Sequence, residues 1–303
     1  MLTAESIKKR AIELGADIVG IGDINLFEGC DPQRDPRMIL PKGKCVIGAG
    51  FRVPHGLYAL MHSKTQYYNY LTLGVKYQDE ERAEIFLLKM AGMIEDEGYD
   101  ACVQRNVSNL KVKGDKSQNP ELFDTYELKY AEAVAPGKPV PDVMMDFGQA
   151  AQICGLGRVG ASGHVLTREF GPYVRFVFIV TDAPLQTDAP FEGDLCDHCG
   201  KCADSCPGKA IDEEGLDTWQ CSVYYRGAGR SNPFMNDAAL ADEPERDAIL
   251  EGNKRFDAVS ARAIYPKLKF LPNFSGYVPC LCGKACDYAC YQHLKEVGSI
   301  GCK

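Results

Sequence analysis

The stretch Cys196-Asp-His-Cys-Gly-Lys-Cys-Ala-Asp-Ser-Cys-Pro207 is the most specific pattern in this chain. It spaces four cysteines as C-x2-C-x2-C-x3-C-P, which lets Cys196, Cys199 and Cys202 bind three corners of one [4Fe-4S] cube. In this pattern Cys206 points away and serves a second cube. Zinc sites favour separated C-x2-C pairs, so the spacing predicts iron–sulfur ligation rather than a zinc site or a disulfide knot. The predicted chemistry is electron transfer.

A second group of cysteines lies near the end of the chain, at Cys280, Cys282, Cys286 and Cys290. Its last C-x3-C step repeats the step that ends the first motif. By the same crossing rule, Cys290 is expected to complete the cube of the first three cysteines.

The second cube then needs three partners for Cys206. The candidates are Cys221, Cys280, Cys282 and Cys286. Only one of Cys280 and Cys282 is required, and we favour Cys282 because its spacing to Cys286 along the sequence is closer to that of a ferredoxin motif. The predicted second set is therefore Cys206, Cys221, Cys282 and Cys286. The alternative is a single cluster with partial ligands around it.

Composition limits the classes of function. The 303 residues are 45% hydrophobic, which supports a substantial core and two domains. The formal net charge of −8 argues against a broad nucleic-acid surface, where phosphate neutralisation dominates binding. We find no secretory leader and no apolar run near the ~20 residues that span a bilayer, so we expect no membrane partner. Fourteen cysteines then indicate cluster ligation in the reducing cytoplasm of an anaerobic or microaerobic host.

Cysteine density divides the chain into two predicted domains. Residues 1–190 hold four scattered cysteines and alternate helical and extended patterns, which predicts a layered α/β domain. Residues 191–303 hold ten cysteines and predict a ferredoxin-like domain with a long insert at 222–279. The clearest single elements are a helix over 79–97 and a strand over 172–181. Shorter strands are predicted at 17–23, 44–53 and 99–104, and a long loop at 107–138.

A glycine-rich turn, Gly155-Leu-Gly-Arg-Val-Gly160, satisfies G-x-G-x-x-G. A dinucleotide fingerprint needs a strand before the glycines and a helix after them. Here residues 147–154 are helical in character and residues 161–171 are extended, which argues against an NAD site. The pattern predicts instead a helix-to-strand turn whose small residues let a planar ligand or another backbone approach closely.

This turn and the cysteine motif together resemble a known family. The run Ala151-Gln-Ile-Cys-Gly-Leu-Gly-Arg-Val-Gly-Ala-Ser-Gly-His164, followed by an extended segment and C-x2-C-x2-C-x3-C-P, resembles epoxyqueuosine reductases and reductive dehalogenases. The segment Asp35-Pro-Arg-Met-Ile-Leu-Pro-Lys-Gly-Lys-Cys-Val-Ile47 is also similar to theirs. The resemblance covers roughly residues 5–53 and 140–290.

The resemblance implies both a fold and cofactors. The fold is a nitroreductase-like layered α/β domain that binds a corrinoid, followed by a bacterial-ferredoxin-like domain with two [4Fe-4S] clusters. Electrons would pass from a ferredoxin or flavodoxin through the clusters to a base-off cobalamin. The implied cofactor-binding residues are those of the turn and the histidine after it: Gly155, Leu156, Gly157, Arg158, Val159, Gly160 and His164.

The resemblance also implies a proton donor. In epoxyqueuosine reductases this is an aspartate about a dozen residues before the turn, which implies Asp142 here, with Asp146 as the alternative. Burial would raise the pKa of such a carboxyl group and suit it to acid catalysis. An equally good interpretation makes Asp142 the N-cap of a helix over 143–154. For His164 the alternative is an ordinary packed or surface histidine.

The chain departs from the family pattern at several positions. Arg158 and Ala161 stand where the family has tryptophan and lysine, and Tyr291 replaces the proline after the last cysteine. With the acidic charge, these differences argue against tRNA as a substrate. We predict a cytoplasmic corrinoid-dependent reductase of an unidentified small molecule. The alternatives are a two-cluster electron-transfer protein that docks or reductively activates a corrinoid partner, and an NAD-dependent enzyme with an accessory ferredoxin domain.

Overall fold

The computed structural model describes residues 2–106, 133, 135–139 and 143–301. The helices are α1 (Ala4–Glu13), α2 (Pro36–Ile39), α3 (His55–His62), α4 (Ala83–Asp96), α5 (Phe147–Ile153), α6 (Lys201–Asp204), α7 (Thr218–Tyr225), α8 (Arg246–Leu250), α9 (Ala258–Ile264) and α10 (Ala285–Glu296). The strands are β1 (Ile18–Asp23), β2 (Cys45–Arg52), β3 (Ala101–Gln104), β4 (Arg158–Val159), β5 (Val165–Leu166), β6 (Val174–Thr181), β7 (Ile211–Asp212) and β8 (Gly215–Leu216). Short 3-10 or π-helical segments lie at Ile24–Phe27, Pro32–Arg34, Tyr70–Lys76, Gln78–Arg82 and Tyr265–Lys267.

The chain divides into two compact units, and each is built from separate stretches of sequence. The first comprises Met1–Arg52, Gln78–Val159 and Val174–Asp194. The second comprises Val53–Tyr77, Gly160–Tyr173 and Leu195–Lys303. The predicted boundary near residue 190 corresponds to the last passage of the chain from one unit to the other, and the two-domain division at that point stays a prediction.

The first unit is organised by an antiparallel sheet in the order β1-β2-β6-β3. The two central strands, β2 and β6, are apolar and almost continuously buried, as expected for strands covered on both faces. Residues Ile21, Ile47 and Ile179 pack on one face with the buried stripes of α1 and α4. The stripe of α4 consists of the six residues that its periodicity predicts: Ala83, Phe86, Leu87, Met90, Ala91 and Ile94.

Helix α5 packs against the sheet strands β1, β2 and β6. It comes close because β1 carries glycines where it passes: a Cβ added to Gly20 would lie 1.9 Å from the Cys154 carbonyl oxygen. Phe147 adds an edge-on contact with Phe178 of β6, with ring centroids 4.7 Å apart. The small residues of β1 therefore determine where the glycine-rich turn after α5 begins.

The second unit contains α3, α6 to α10 and several apolar clusters. One cluster surrounds Tyr58 and Tyr173, whose rings stack with centroids 3.7 Å apart. Another forms around Tyr224 and includes Ile249 and Ala261 of the 222–279 segment. The predicted insert therefore supplies part of the core that holds α7.

Most predicted elements of the first 190 residues are confirmed. Strands lie within 17–23, 44–53, 99–104 and 172–181, and a helix precedes the glycine turn. The helix predicted over 143–154 is corrected: it begins at Phe147, because the Asp146 side chain accepts the Gln149 N–H and caps it there. Most of the predicted loop 107–138 lies outside the described residues. Within the described part of the chain, helices are all too short or too polar to cross a bilayer.

Candidate iron–sulfur centres

The first thiol group combines a loop with a distant helix. Cys196 and Cys199 lie in the loop that leads into α6, and Cys202 belongs to α6 itself. Cys290 comes from α10, which packs against α6. All four line one small cavity. The loop closes tightly because His198 and Gly200 adopt left-handed backbone conformations, with φ of 56° and 76°.

The end of the glycine turn supports this first group. The Ala161 N–H donates to the Cys196 sulfur at 3.4 Å. A Cβ added to Gly160 would lie 2.8 Å from a methyl carbon of Leu166 and 3.4 Å from Cβ of Cys196. Glycine at position 160 therefore permits the close approach that brings an N–H to the sulfur.

An ion pair borders the same group on its outer side. His293 Nε2 lies 2.7 Å from Asp197 Oδ2, and the Asp197 side chain is 54% exposed. The hydrogen bond from His293 lowers the pKa of Asp197. Because Asp197 stands between two predicted ligands and His293 belongs to α10, the contact connects the cysteine loop to the helix that carries Cys290.

The second thiol group draws on four separate segments. Burial raises the pKa of Cys206, and the nearby Cys282 sulfur raises it further. Burial also raises the pKa of Cys286, with added contributions from Asp287, Cys282 and Cys221. These thiols are therefore near neighbours, although Cys221 belongs to α7 and Cys286 to α10.

The second group contains one thiol more than a cube binds. The sulfurs of Cys280 and Cys282 are 3.6 Å apart, in van der Waals contact. Cys280 is fully buried in the apolar cluster around Tyr58. The Cys206 sulfur accepts a hydrogen bond from the Ala210 N–H at 3.4 Å, the counterpart of the Ala161 bond in the first group.

The donor chemistry of both groups fits iron–sulfur clusters. Burial, the charge of Asp287 and the neighbouring sulfurs of Cys202, Cys196 and Cys199 raise the pKa of Cys290 to about 12, so this thiol keeps its proton at neutral pH unless a metal binds it. Metal ions reverse this preference, because a coordinating thiol loses its proton. Backbone N–H groups aimed at the sulfurs then stabilise the thiolate charge.

A buried charged group adjoins the second thiol group. The Asp287 side chain is 3% exposed, and its Oδ1 lies 2.7 Å from His164 Nδ1. Its Oδ2 lies 3.2 Å from Lys284 Nζ, which also lies 3.2 Å from His164 Nε2. Burial alone would raise the pKa of Asp287, but the charges of His164 and Lys284 outweigh it and lower that pKa.

The predicted corrinoid turn is divided between the two units. Gly155, Leu156, Gly157, Arg158 and Val159 belong to the first unit, while Gly160 and His164 belong to the second. Leu156 is 6% exposed, so its side chain is a core residue, whereas Arg158 and Val159 are exposed. Corrinoid binding by these residues stays a prediction.

The predicted proton donor, Asp142, lies outside the described residues. Its alternative, Asp146, caps α5 and forms an ion pair with Arg34 at 2.9 Å. The Asp146 carboxylate therefore has a structural role, as a helix cap and as an ion-pair partner.

Sequence reasoning missed the charged residues around both thiol groups. His164 was singled out for a corrinoid, yet both of its ring nitrogens face Lys284 and Asp287. The pairing has no local signature, because 120 residues separate His164 from Lys284. Only the position of Asp287, directly after Cys286, offered a hint.

Comparisons with known proteins bear on the same segments. A family model for a 4Fe-4S binding domain matches residues 189–212. An epoxyqueuosine reductase from Bacillus anthracis is 29% identical over 140 residues, which cover 43% of this chain and 34% of that protein. A tetrachloroethene reductive dehalogenase from Sulfurospirillum multivorans is 44% identical over 79 residues, 25% of this chain and 16% of that protein. The matches thus span about a third or less of these relatives.

A solved structure extends the likeness to the fold. A reductive dehalogenase, described for its B12-dependent dehalogenation, superposes with a TM-score of 0.50 over 88% of this chain and 35% of its own, at 18% identity. The predicted fold class, α/β with a ferredoxin-like cysteine motif, is confirmed at this level. By sequence and fold, this chain is a relative of the epoxyqueuosine reductases and reductive dehalogenases, the iron–sulfur, corrinoid-type reductases.

Proposed function

We propose that this chain is a corrinoid-dependent iron–sulfur reductase of an unidentified small molecule, supplied with electrons by a ferredoxin or flavodoxin. The observation that carries the proposal is the sorting of nine thiols into two groups. In that sorting Cys290 joins the thiols of the first motif, and Cys206 of that motif joins the thiols of the tail. This exchange is the ligand arrangement of a two-cluster ferredoxin.

The first cluster is assigned to Cys196, Cys199, Cys202 and Cys290. The four cysteines line one cavity, and the sulfurs of the other three each raise the pKa of Cys290, which supports this set. The Ala161 N–H would stabilise the thiolate of Cys196 and orient it toward iron.

The second cluster is assigned to Cys206, Cys221, Cys282 and Cys286. Two thiolates on different irons of one cube point away from different corners, so Cys280 and Cys282 cannot both remain in contact and bind. We assign Cys282 as the ligand because its sequence spacing to Cys286 is closer to a ferredoxin step, whereas Cys280 is fully buried in the apolar cluster around Tyr58. Cys280 is then the ninth, unbound thiol.

The bound clusters supply one-electron transfer, and cobalamin supplies the reducing chemistry at the substrate. The chain's own residues bind and orient these groups. The thiols hold the clusters, the backbone N–H groups of Ala161 and Ala210 stabilise negative charge on sulfur, and the exposed part of the glycine turn offers a surface to the corrinoid.

The remaining parts of the proposal concern partners and location. We place the protein in the cytoplasm, because a reducing compartment keeps this many thiols available for iron. We expect a small substrate rather than tRNA, which stays a prediction because epoxyqueuosine reductases are among the relatives. Asp142 remains the proposed proton donor on the family resemblance alone.

The experiment is anaerobic reconstitution with iron and sulfide, followed by titration with cobalamin. We expect about eight iron atoms per chain, from two four-iron clusters, and a change of the cobalt absorption bands typical of a base-off complex. Iron for one cluster or none would contradict the ligand assignment. A protein with both clusters that does not bind micromolar cobalamin would instead be an electron-transfer protein that docks or activates a corrinoid partner.

A further inference from the structure

Lys284, Asp287 and His164 form a group of interacting side chains beside the second thiol set, in which Asp287 is buried and the other two are partly buried. Lys284 Nζ lies 3.2 Å from both Asp287 Oδ2 and His164 Nε2, and the other ring nitrogen of His164 lies 2.7 Å from Asp287 Oδ1. The side chains of Lys284 and Asp287 are only 18% and 3% exposed. Burying two opposite charges in this way is costly unless each is held by the other.

The backbone places the lysine among the predicted ligands. Gly283 and Lys284 both adopt left-handed conformations, with φ of 67° and 48°. A residue other than glycine rarely adopts this conformation. The turn sets Lys284 between Cys282 and Cys286 at the start of α10.

The Asp287 carboxylate contacts the sulfur of one predicted ligand. The Cys286 sulfur is 3.7 Å from Asp287 Oδ1, a contact between a predicted iron ligand and a full negative charge. Lys284 is the cationic partner of this carboxylate, with its Nζ 3.2 Å from Asp287 Oδ2. The pair therefore places a carboxylate against a predicted ligand sulfur, and an ammonium 3.2 Å from the other oxygen of that carboxylate.

Opposite charges have opposite effects on cluster reduction. A cation near the sulfurs stabilises the added electron and a carboxylate destabilises it, and both effects are larger in a low-dielectric interior than in water. Charge and hydrogen bonding around the sulfurs are established determinants of cluster potential.

We propose that Lys284 and Asp287 are an opposed charge pair that sets the reduction potential of the cluster held by Cys206, Cys221, Cys282 and Cys286, with His164 holding both groups in place. The inference rests on the proposed function, because it requires that cluster. All three are positioning residues, since they act on the cluster through its ligands.

The test is a redox titration of the reconstituted protein, followed by electron paramagnetic resonance. We expect Lys284→Met to make one cluster harder to reduce and Asp287→Asn to make it easier. The double variant returns its midpoint toward that of the wild type, and the other cluster moves less. Lys284→Arg keeps the charge and retains most of the wild-type midpoint.

Lys267→Met is the matched control. Lys267 also forms an ion pair, with Asp242 at 2.8 Å, but belongs to the segment around α9 rather than to the thiol groups. We expect it to leave both midpoints unchanged, while iron content and circular dichroism report folding for every variant.

Several outcomes would overturn the inference. If both single variants retain full iron and shift in the same direction, or do not shift, the charge pair does not set the potential. If Lys284→Met loses the second cluster, Asp287→Asn decides: an unchanged midpoint refutes the proposal and an easier reduction supports it. A wild-type protein that binds no second cluster would contradict the proposed function itself, which separates the two failures.

Discussion

The two thiol groups are built in different ways. The first takes three cysteines from one short stretch of chain, the loop before α6 and α6 itself, and one of the three is exposed. Its neighbouring carboxylate, Asp197, is 54% exposed and paired with a histidine. The second takes cysteines from separate segments, includes a fully buried thiol, and has a neighbouring carboxylate, Asp287, that is 3% exposed. Charges near the first group are screened by water, whereas those near the second act in a low dielectric. The first site is suited to exchange electrons at the surface, and the second to have its potential set by the protein.

The largest effect is expected from removing either of the two cluster ligands that lie on α10. Cys290→Ala is expected to lose the first cluster, so that iron falls from about eight to about four atoms per chain, while the second cluster's spectrum remains. Cys286→Ala should do the reverse. Iron analysis with electron paramagnetic resonance measures both. Cys45→Ala, at a buried thiol of the first unit, serves as the control, and equal losses in both ligand variants would show that the clusters are not independent.

Substituting Cys280 and Cys282 in turn tests which of the two binds the second cluster. Cys282→Ala is expected to lose the second cluster, whereas Cys280→Ala should keep about eight iron atoms per chain, because a buried thiol outside the cube is an ordinary core residue. The same iron analysis distinguishes them. The opposite result would exchange the roles of the two cysteines.

A side chain added at Gly160, which lies against the first thiol group, should weaken iron binding by that group alone. We expect Gly160→Val to destabilise the protein by about 1–3 kcal/mol, because its added carbons would collide with Leu166 and press on Cys196. Thermal unfolding gives the stability, and the rate of iron loss to a chelator gives the effect on each cluster. Gly92→Ala is the control: with no neighbour within 4 Å and a position inside α4, it should raise stability by about 0.5–1 kcal/mol and leave the iron loss from both clusters unchanged. Faster iron loss from the second cluster would contradict this prediction.

The smallest effect should come from the ion pair at the edge of the first group. His293→Gln removes the imidazole that contacts Asp197, and a contact of this kind with one exposed member contributes roughly 0–1 kcal/mol. We expect both clusters to be retained with nearly unchanged thermal stability. Loss of the first cluster in this variant would show that the connection between loop and helix is essential.

Local patterns predicted the fold elements well, with defined exceptions. Local sequence is enough to predict β2, β6 and α4, because the pattern of their apolar residues shows which faces are buried. The helix predicted to begin after Asp142 begins instead at Phe147, because the Asp146 side chain accepts the Gln149 N–H, a contact that only the structure shows. The ligand role of the glycine turn stays a prediction, and the structure adds that Leu156 packs into the core and that the Ala161 N–H donates to Cys196.

The sequence by itself determined the chemistry of this protein: the spacing of the cysteines predicts two iron–sulfur clusters, because short loops restrict which sulfurs can reach one cube. Tertiary structure alone decided what surrounds them. The contacts of His164 with Lys284 and Asp287, and of Ala161 with Cys196, join segments far apart in sequence. No local pattern encodes such contacts, because they exist only after the chain has folded and removed these charges and sulfurs from water.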